Sequence, residues 1–155
     1  MMISTKGRYA LRVMVDLLEH NDGSFTPLKE ISDRQGISQK YLESIVVVLS
    51  KHHLVEGASG KNGGYRLCRK PEEYRVGDIL RLTEGTLAPV TCLEYGTNPC
   101  ERADMCYMLP VWQGLADLIN EYFDNMTLAD IYNNAHGKSC STLKQAEKTV
   151  EDHHE

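Results

Sequence analysis

Three cysteines, Cys92, Cys100 and Cys106, lie within 15 residues of one another in a polar segment of the chain. Seven residues separate the first two and five separate the last two. Zinc sites usually contain two cysteines two residues apart, so this spacing disfavours a structural zinc site. Soft thiolates on an irregular segment suit an iron-sulfur cluster. Three surface thiols without a metal are the alternative that the spacing leaves open.

Three cysteine ligands leave one cluster position open or filled by another group. No histidine lies in the segment, and the oxygen donors in or near it are Glu94, Glu101, Asp104 and Tyr107. The sequence does not select one of them. Of the remaining cysteines, Cys68 falls in a predicted strand, where we expect a small buried apolar residue, and Cys140 falls in a polar tail.

The 155 residues suffice for one compact domain with a dimerisation element. No apolar run approaches the roughly 20 residues that span a bilayer, and residues 1–6 lack the apolar stretch of a signal peptide. We therefore expect a cytoplasmic protein with no membrane partner. In that reducing compartment, clustered cysteines serve metal binding or thiol chemistry rather than structural disulfides.

The net charge is −5, but charge is distributed unevenly along the chain. Residues 1–75 contain 12 basic and 9 acidic side chains, a net of +3, whereas residues 76–155 contain 5 and 13, a net of −8. The basic half is therefore the candidate nucleic-acid surface.

The basic half also has the pattern of a helix-turn-helix. Apolar residues at three- and four-residue spacing predict a first helix over residues 4–20. Thr26 as N-cap and Pro27 as first helical position predict a short second helix that ends at Gly36. A third helix over residues 38–51 follows after a turn of only two residues. This arrangement favours the third helix as the DNA reader.

A β-hairpin follows the third helix. Residues 54–56 and 65–67 have strand character, and the glycine-rich residues 57–64 between them predict a wing. A phosphate-binding loop is excluded because its Gly-Lys-Ser/Thr ending and the helix after it are absent. Residues 76–83 then predict a fourth helix that closes the DNA-binding domain.

The C-terminal half contains a long amphipathic helix over residues 109–124. Its apolar stripe is too wide to pack on one neighbour, which predicts a homodimer; the stripe comprises Val111, Trp112, Leu115, Ala116, Leu118, Ile119, Tyr122 and Phe123. A capping box from Thr127 to Asp130 starts a last short helix.

The fold expected is mainly α with a small β-hairpin, a winged helix-turn-helix plus a long dimerisation helix. We assign residues 1–85 to the DNA-binding domain, 86–107 to the cysteine-containing cluster loop, and 108–132 to the dimerisation helix and the terminal helix. Residues 133–155 form a polar, disordered tail in this assignment.

Short polar side chains near the start of the third helix are suited to reading base edges in the major groove. Lys40 suits phosphate or guanine, and Glu43 suits cytosine. Cations on the first helix, including Arg12, suit phosphate contacts, and the wing tip suits the minor groove. The alternative is that these polar residues form an ordinary solvated face. The predicted DNA-binding residues are Lys6, Arg8, Ser38, Gln39, Lys40, Tyr41, Glu43, Ser44, Lys51, Lys61 and Asn62.

Four motifs in order, at residues 4–10, 31–38, 41–43 and 63–65, resemble the IscR-type iron-sulfur cluster regulators of the Rrf2 family. Relatives in that family include the nitric oxide sensor NsrR and the cysteine-metabolism regulator CymR. The resemblance extends from Met1 to about Tyr132.

The resemblance implies a dimeric transcription factor that binds double-stranded promoter DNA and changes its DNA preference or affinity when its cluster is lost. It makes Cys92, Cys100 and Cys106 the cluster ligands, with 2Fe-2S preferred to 4Fe-4S. It also implies that Glu43 helps to choose between types of DNA sequence and that Trp112 begins the dimer helix.

The chain departs from the family pattern at four places, the first being a gap between its first two cysteines that is longer than the gap in IscR. Leu109 stands where IscR has a histidine three positions after the third cysteine, Arg8 replaces the first-helix aspartate of NsrR, and Ser59 replaces the wing arginine of IscR. Lys61 is the candidate for that arginine's minor-groove contact. CymR-type members lack the three cysteines, which argues against that branch.

We therefore predict a transcription regulator that senses cluster status, redox state or nitric oxide, and not an enzyme, because no Cys-x-x-Cys pair or cysteine with a nearby histidine occurs in the segment. A cluster-assembly or metabolic enzyme is a candidate partner. The alternative is a cluster-free regulator controlled by a protein partner or by thiol oxidation.

Overall fold

The computed structural model describes residues 2–94 and 100–137. The described elements are α1 Thr5–Glu19, α2 Leu28–Gln35, α3 Gln39–Lys51, β1 Val55–Ala58, β2 Gly64–Leu67, α4 Val76–Glu84, α5 Leu109–Asn125 and α6 Leu128–Ala135. Short 3-10 turns lie at Pro71–Glu73, Thr91–Leu93 and Ala103–Met105. The predicted class, mainly α with a small β-hairpin wing, is confirmed.

α1 is the central helix of the main core. Ser4 caps it by accepting a hydrogen bond from the Gly7 N–H at 3.2 Å. Of the apolar face predicted from the sequence, Ala10, Val13, Met14 and Leu17 are buried, whereas Tyr9 and Leu18 are partly buried. The helix packs against α2, α3, α4, the base of the wing and α6. This packing fixes α3 relative to α1, which matters because both helices carry predicted DNA contacts.

The predicted helix-turn-helix is present between α2 and α3. Gly36 adopts the left-handed conformation with φ 63°, as expected of a glycine that ends a helix. The hydroxyl of Ser32 donates to the carbonyl oxygen of Ile37 at 2.6 Å, and the side chain of Ile37 is buried. A hydrogen bond and a buried side chain thus both stabilise the turn. The next helix therefore starts in a fixed direction.

The expectation that Thr26 caps α2 is wrong. Pro27 occupies the N-cap position, and Thr26 pairs with Tyr65 through two backbone hydrogen bonds of 2.9 Å. A Cβ on Gly64 would collide with the Thr26 carbonyl, so glycine is required where the two backbones meet. The wing is thereby joined to the start of α2.

β1 and β2 form the predicted antiparallel hairpin, with Val55 opposite Leu67. The hydroxyl of Tyr74 closes its base by accepting from the N–H groups of Cys68 and Arg69, both at 2.8 Å, and donating to the Leu54 carbonyl oxygen at 2.9 Å. Cys68 lies just after β2 and is exposed, so the expectation of a buried strand residue is wrong.

A second core joins α4 to α5, with Val76, Leu80, Leu87 and Met126 buried in it. The guanidinium of Arg81 on α4 holds α5 at the surface through both oxygens of Asp124, at 2.6 and 2.9 Å. These contacts fix the C-terminal half of α5 on the DNA-binding domain.

The capping box predicted at the start of α6 is confirmed: the Asp130 N–H donates to the Thr127 hydroxyl oxygen at 3.1 Å, and the Thr127 N–H donates to the Asp130 carboxylate at 2.9 Å. Residues 133–135, expected in the polar tail, form the last turn of this helix, and residues 138–155 lie outside the described part of the chain. Within residues 2–94 and 100–137, no helix has the length and apolar character needed to cross a membrane.

Candidate functional site

The exposed side of α3 is the candidate DNA-reading surface. The opposite side is completely buried, with Leu42, Ile45, Val46 and Leu49 in the main core. We call the exposed side the reading face; it comprises Gln39, Lys40, Glu43, Ser44, Val47 and Lys51. Five of these six residues were predicted from the sequence as DNA contacts, and Val47 was not.

Hydrogen bonds at the start of α3 decide what its hydroxyl groups can offer to DNA. The oxygen of Ser38 accepts from the Tyr41 N–H at 3.3 Å, so its hydroxyl proton is free to be donated. The hydroxyl of Ser44 donates to the Tyr41 carbonyl oxygen at 2.6 Å, which leaves its oxygen lone pairs as acceptors. Two serines six residues apart thus present opposite hydrogen-bonding character.

Tyr41 is half-buried and connects α3 to α1. Its ring meets the ring of Tyr9 edge-on, with centroids 5.8 Å apart. The guanidinium of Arg12 lies 5.1 Å from the centroid of Tyr9 and also donates to the backbone and side-chain oxygens of Gln35. Arg12, which the sequence suggested as a phosphate contact, therefore joins α1 to the end of α2 and the aromatic pair beside α3.

Asp16 is a buried carboxylate that sequence reasoning missed. Its side chain is 1% exposed and receives hydrogen bonds from Arg34 at 2.8 and 3.1 Å and from Gln35 at 2.7 Å. The hydrogen bond to Asp16 raises the pKa of the Arg34 guanidinium. The available signal was an acidic residue among the apolar positions of α1, with an arginine near the end of the next helix.

The cations of α1 that were predicted to contact phosphate lie at its first two turns. Lys6 is half-buried, and Arg8 is exposed, with its guanidinium 3.2 Å from the Thr5 hydroxyl. Because both precede the packed centre of α1, their positions depend on how the first turn of the helix is held.

The wing tip is exposed and its base is anchored. Lys61 and Asn62 occupy the middle of a turn closed by a 3.0 Å hydrogen bond from the Gly63 N–H to the Gly60 carbonyl oxygen. Arg66 on β2 lies 4.4 Å from the Phe25 ring centroid and donates to the Gly23 carbonyl oxygen at 2.9 Å. The tip thus extends from a hairpin held on two sides.

The three predicted cluster cysteines lie in the segment between α4 and α5. Cys92 is half-buried in a 3-10 turn, and Cys100 and Cys106 are exposed. A cavity of about 290 Å³ separates the segment from α5, and both Cys92 and Leu109 line it. Leu109 therefore faces the same cavity as the first cysteine, but its hydrocarbon side chain cannot be a ligand.

The chemical type of the three cysteines suits an iron-sulfur cluster, but their arrangement among the described residues does not form a metal site. Three thiols have the softness that an iron-sulfur cluster requires. Within the described residues, however, no three histidine, cysteine, aspartate or glutamate side chains are close enough together to hold a metal ion. Residues 95–99, between the first two cysteines, are outside the described residues. Cluster binding would therefore require the segment to bring the three thiols together.

The cysteine segment begins next to the first turn of α1. The carboxylate of Glu84, at the end of α4, accepts from the Ser4 hydroxyl at 2.7 Å and from its backbone N–H at 3.2 Å. Three residues later, Leu87 is buried in the second core, against which Ile3 and Leu11 also pack. The start of the segment is thus attached to the helix that carries Lys6 and Arg8.

Comparison with known proteins gives consistent matches across most of the chain. A family model described as Rrf2, Iron-dependent Transcriptional regulator, matches residues 3–134. The HTH-type transcriptional regulator IscR of Sodalis glossinidius is 37% identical over 134 residues, which cover 86% of this chain and 80% of the relative.

Solved structures agree with this match. CymR, the global cysteine regulator of B. subtilis, is similar with a TM-score of 0.72 and 35% identity, over 86% of this chain and 98% of that one. T. potens IscR is similar with a TM-score of 0.68 and 34% identity, over 91% of this chain and 93% of that one.

Proposed function

Because the chain belongs to the Rrf2 family of transcription regulators, we propose that it is a cytoplasmic, homodimeric regulator that binds promoter DNA and senses cluster status, redox state or nitric oxide through Cys92, Cys100 and Cys106. Membership confirms the resemblance predicted from the sequence motifs. It also confirms that the chain is a regulator rather than an enzyme.

DNA reading by α3 is supported by the way the fold presents its exposed side. The helix is buried on one face, capped at Ser38 and followed by a wing whose base is hydrogen-bonded to the segment before α2. Helix-turn-helix proteins insert such a helix into the major groove. The residues proposed to contact DNA are Lys6, Arg8, Ser38, Gln39, Lys40, Tyr41, Glu43, Ser44, Lys51, Lys61 and Asn62.

Dimerisation is supported by an exposed apolar stripe on α5. Val111, Leu115, Leu118 and Tyr122 are 54, 40, 64 and 37% exposed, at alternating spacings of four, three and four residues. Ala116, on the other side of the helix, is buried against this chain. A 3-4 spacing is typical of helices that pack against another helix, and a second copy of the same stripe would cover it. Two reading faces would then meet half-sites about 10 base pairs apart.

In the proposed sensor, the three cysteine thiolates hold an iron-sulfur cluster, with 2Fe-2S preferred to 4Fe-4S. The cluster supplies the redox and nitric oxide reactivity when it is bound. The protein supplies the thiolates and the adjoining cavity beside α5, and it gathers or releases the segment as the ligands bind or dissociate. A cluster-assembly or metabolic enzyme is the candidate partner.

The observation that carries the proposal is the contact between Glu84 and Ser4. It attaches the residue just before the cysteine segment to the start of α1, where two of the proposed phosphate contacts lie. A change in the segment therefore has a short physical route to the DNA-binding surface, through α4 and the first turn of α1.

The test of cluster binding is anaerobic purification followed by a visible absorption spectrum and by iron and sulfide analysis. We expect coloured protein containing iron and sulfide, and a colourless Cys92→Ala variant. Cys68→Ala is the matched control, because Cys68 is exposed but lies outside the segment, and it should retain the colour. Wild-type protein without iron or sulfide, even after chemical reconstitution, would contradict the sensor.

The second candidate is a cluster-free regulator controlled by a protein partner or by thiol oxidation. It is favoured by the exposure of Cys100 and Cys106. It predicts colourless protein whose DNA affinity changes on mild peroxide treatment or on adding the partner, with recovery after a thiol reductant.

A further inference from the structure

Val47 is an exposed apolar residue on the reading face. Its neighbours along the chain, Val46 and Val48, are fully buried and half-buried, whereas Val47 is 62% exposed. In the described part of the chain, neither hydrophobic core includes it. Packing among the described residues therefore gives no reason for a valine at this position.

Helical geometry places Val47 in the middle of the reading face. At 3.6 residues per turn, a residue seven positions after Lys40 points within about 20° of it. Glu43 and Ser44 lie one turn before Val47, and Lys51 lies one turn after it, all exposed. Leu42 and Leu49, on the opposite side, are fully buried. Val47 is thus an apolar spot surrounded by polar and charged side chains.

A valine is also unfavourable here by its local physical chemistry. A β-branched side chain lowers helix propensity relative to alanine or a long polar residue. Its apolar surface gains nothing while it faces water. Both costs would be offset if the side chain is desolvated when α3 binds its target.

Resting on the proposed function of α3 as the DNA reader, we propose that Val47 contacts the C5 methyl group of a thymine in the major groove and makes that position of the target specific for thymine. Thymine alone among the four bases presents a methyl group in this groove. The surrounding Lys40, Glu43 and Ser44 would read hydrogen-bonding groups of adjacent bases, so Val47 adds a purely apolar element to recognition.

The test removes the thymine C5 methyl group and the methyl groups of Val47 separately. The full-length wild-type protein first enriches its preferred sites from a random pool of DNA duplexes. Each thymine of the enriched site is then replaced by deoxyuridine, which lacks only the C5 methyl group, and the Kd is measured for wild type and for Val47→Ala. Because alanine favours the helix, this variant keeps α3 intact, which circular dichroism verifies.

We expect one thymine per half-site at which deoxyuridine weakens wild-type binding about fourfold, the value for burial of one methyl-sized group. Val47→Ala should weaken binding to the thymine site and be insensitive to deoxyuridine at that position. Val48→Ala, off the reading face on the same helix, should keep the wild-type sensitivity.

The proposal is overturned if wild type and Val47→Ala respond equally to deoxyuridine at every position, or if no thymine is sensitive. Failure to enrich any sequence would contradict DNA reading itself, and this proposal with it. The two failures are thus distinguished by whether an enriched site exists.

Discussion

The carboxylate of Glu84 accepts hydrogen bonds from both the hydroxyl and the backbone N–H of Ser4, so the last residue of α4 closes the first turn of α1. Ser4 in turn caps α1 by accepting from the N–H of Gly7. A Cβ on Gly7 would collide with the Glu84 carboxylate. The glycine thus leaves room for the Glu84 carboxylate beside the first turn of α1.

Gly7→Ala should destabilise the protein and weaken DNA binding, although alanine favours helices. The added methyl group must displace Glu84 and open the first turn of α1. Chemical denaturation and DNA affinity would be measured together. In a Glu84→Ala background the colliding carboxylate is gone. Adding Gly7→Ala should therefore lower the free energy of unfolding less in that background than it does in wild type. Equal costs in both backgrounds would contradict the contact.

Asp16→Asn should lower the free energy of unfolding by about 3 kcal/mol, because it leaves the Arg34 guanidinium without its buried countercharge. Asp33→Asn is the control, since Asp33 is exposed on the neighbouring helix. Urea denaturation of both variants checks this expectation. A loss no larger than that of the control would show that Asp16 does not hold α1 to α2.

Tyr74→Phe should destabilise the protein by about 1–3 kcal/mol, because two N–H groups and a carbonyl at the base of the wing lose their partner. Tyr107→Phe is the control, since Tyr107 is 97% exposed. Thermal or urea denaturation of both variants measures the difference. A cost equal to that of the control would argue against an anchoring role.

Tyr74 should also make the stability of the protein depend on pH. Burial raises the pKa of Tyr74 above its ordinary value near 10. Its contribution to stability is therefore complete below about pH 10 and is lost as the pH rises through the folded-state pKa. Wild type should lose stability more steeply than Tyr74→Phe in this alkaline range, and parallel curves would contradict the assignment.

Leu118→Glu should convert the proposed dimer to a monomer, because it places a charge in the middle of the exposed stripe of α5. Glu121→Gln, also exposed on this helix but off the stripe, should leave the dimer intact. Sedimentation velocity measures the assembly, and circular dichroism checks that both variants are folded. A dimer that survives Leu118→Glu would show that another surface is used.

Local patterns were sufficient to predict the helices, the Gly36 turn, the wing and the caps at Ser38 and Thr127, because each depends on residues within a few positions of one another. Thr26 and Cys68 were misassigned because backbone pairing with Tyr65 and the actual end of β2 decide their positions. The roles of Glu84 and Arg12 also depend on distant partners, which periodicity does not reveal.

We propose that the cysteine segment controls DNA binding, and the most direct test is the Kd for an enriched promoter site under anaerobic conditions, with and without the cluster. We expect the two forms of wild type to differ by about 5-fold to 150-fold, the usual range for coupling between two sites. Cys106→Ala should show a single Kd whether or not it has been through reconstitution, and Cys68→Ala should behave as wild type. Equal affinities of cluster-loaded and cluster-free wild type would contradict the claim.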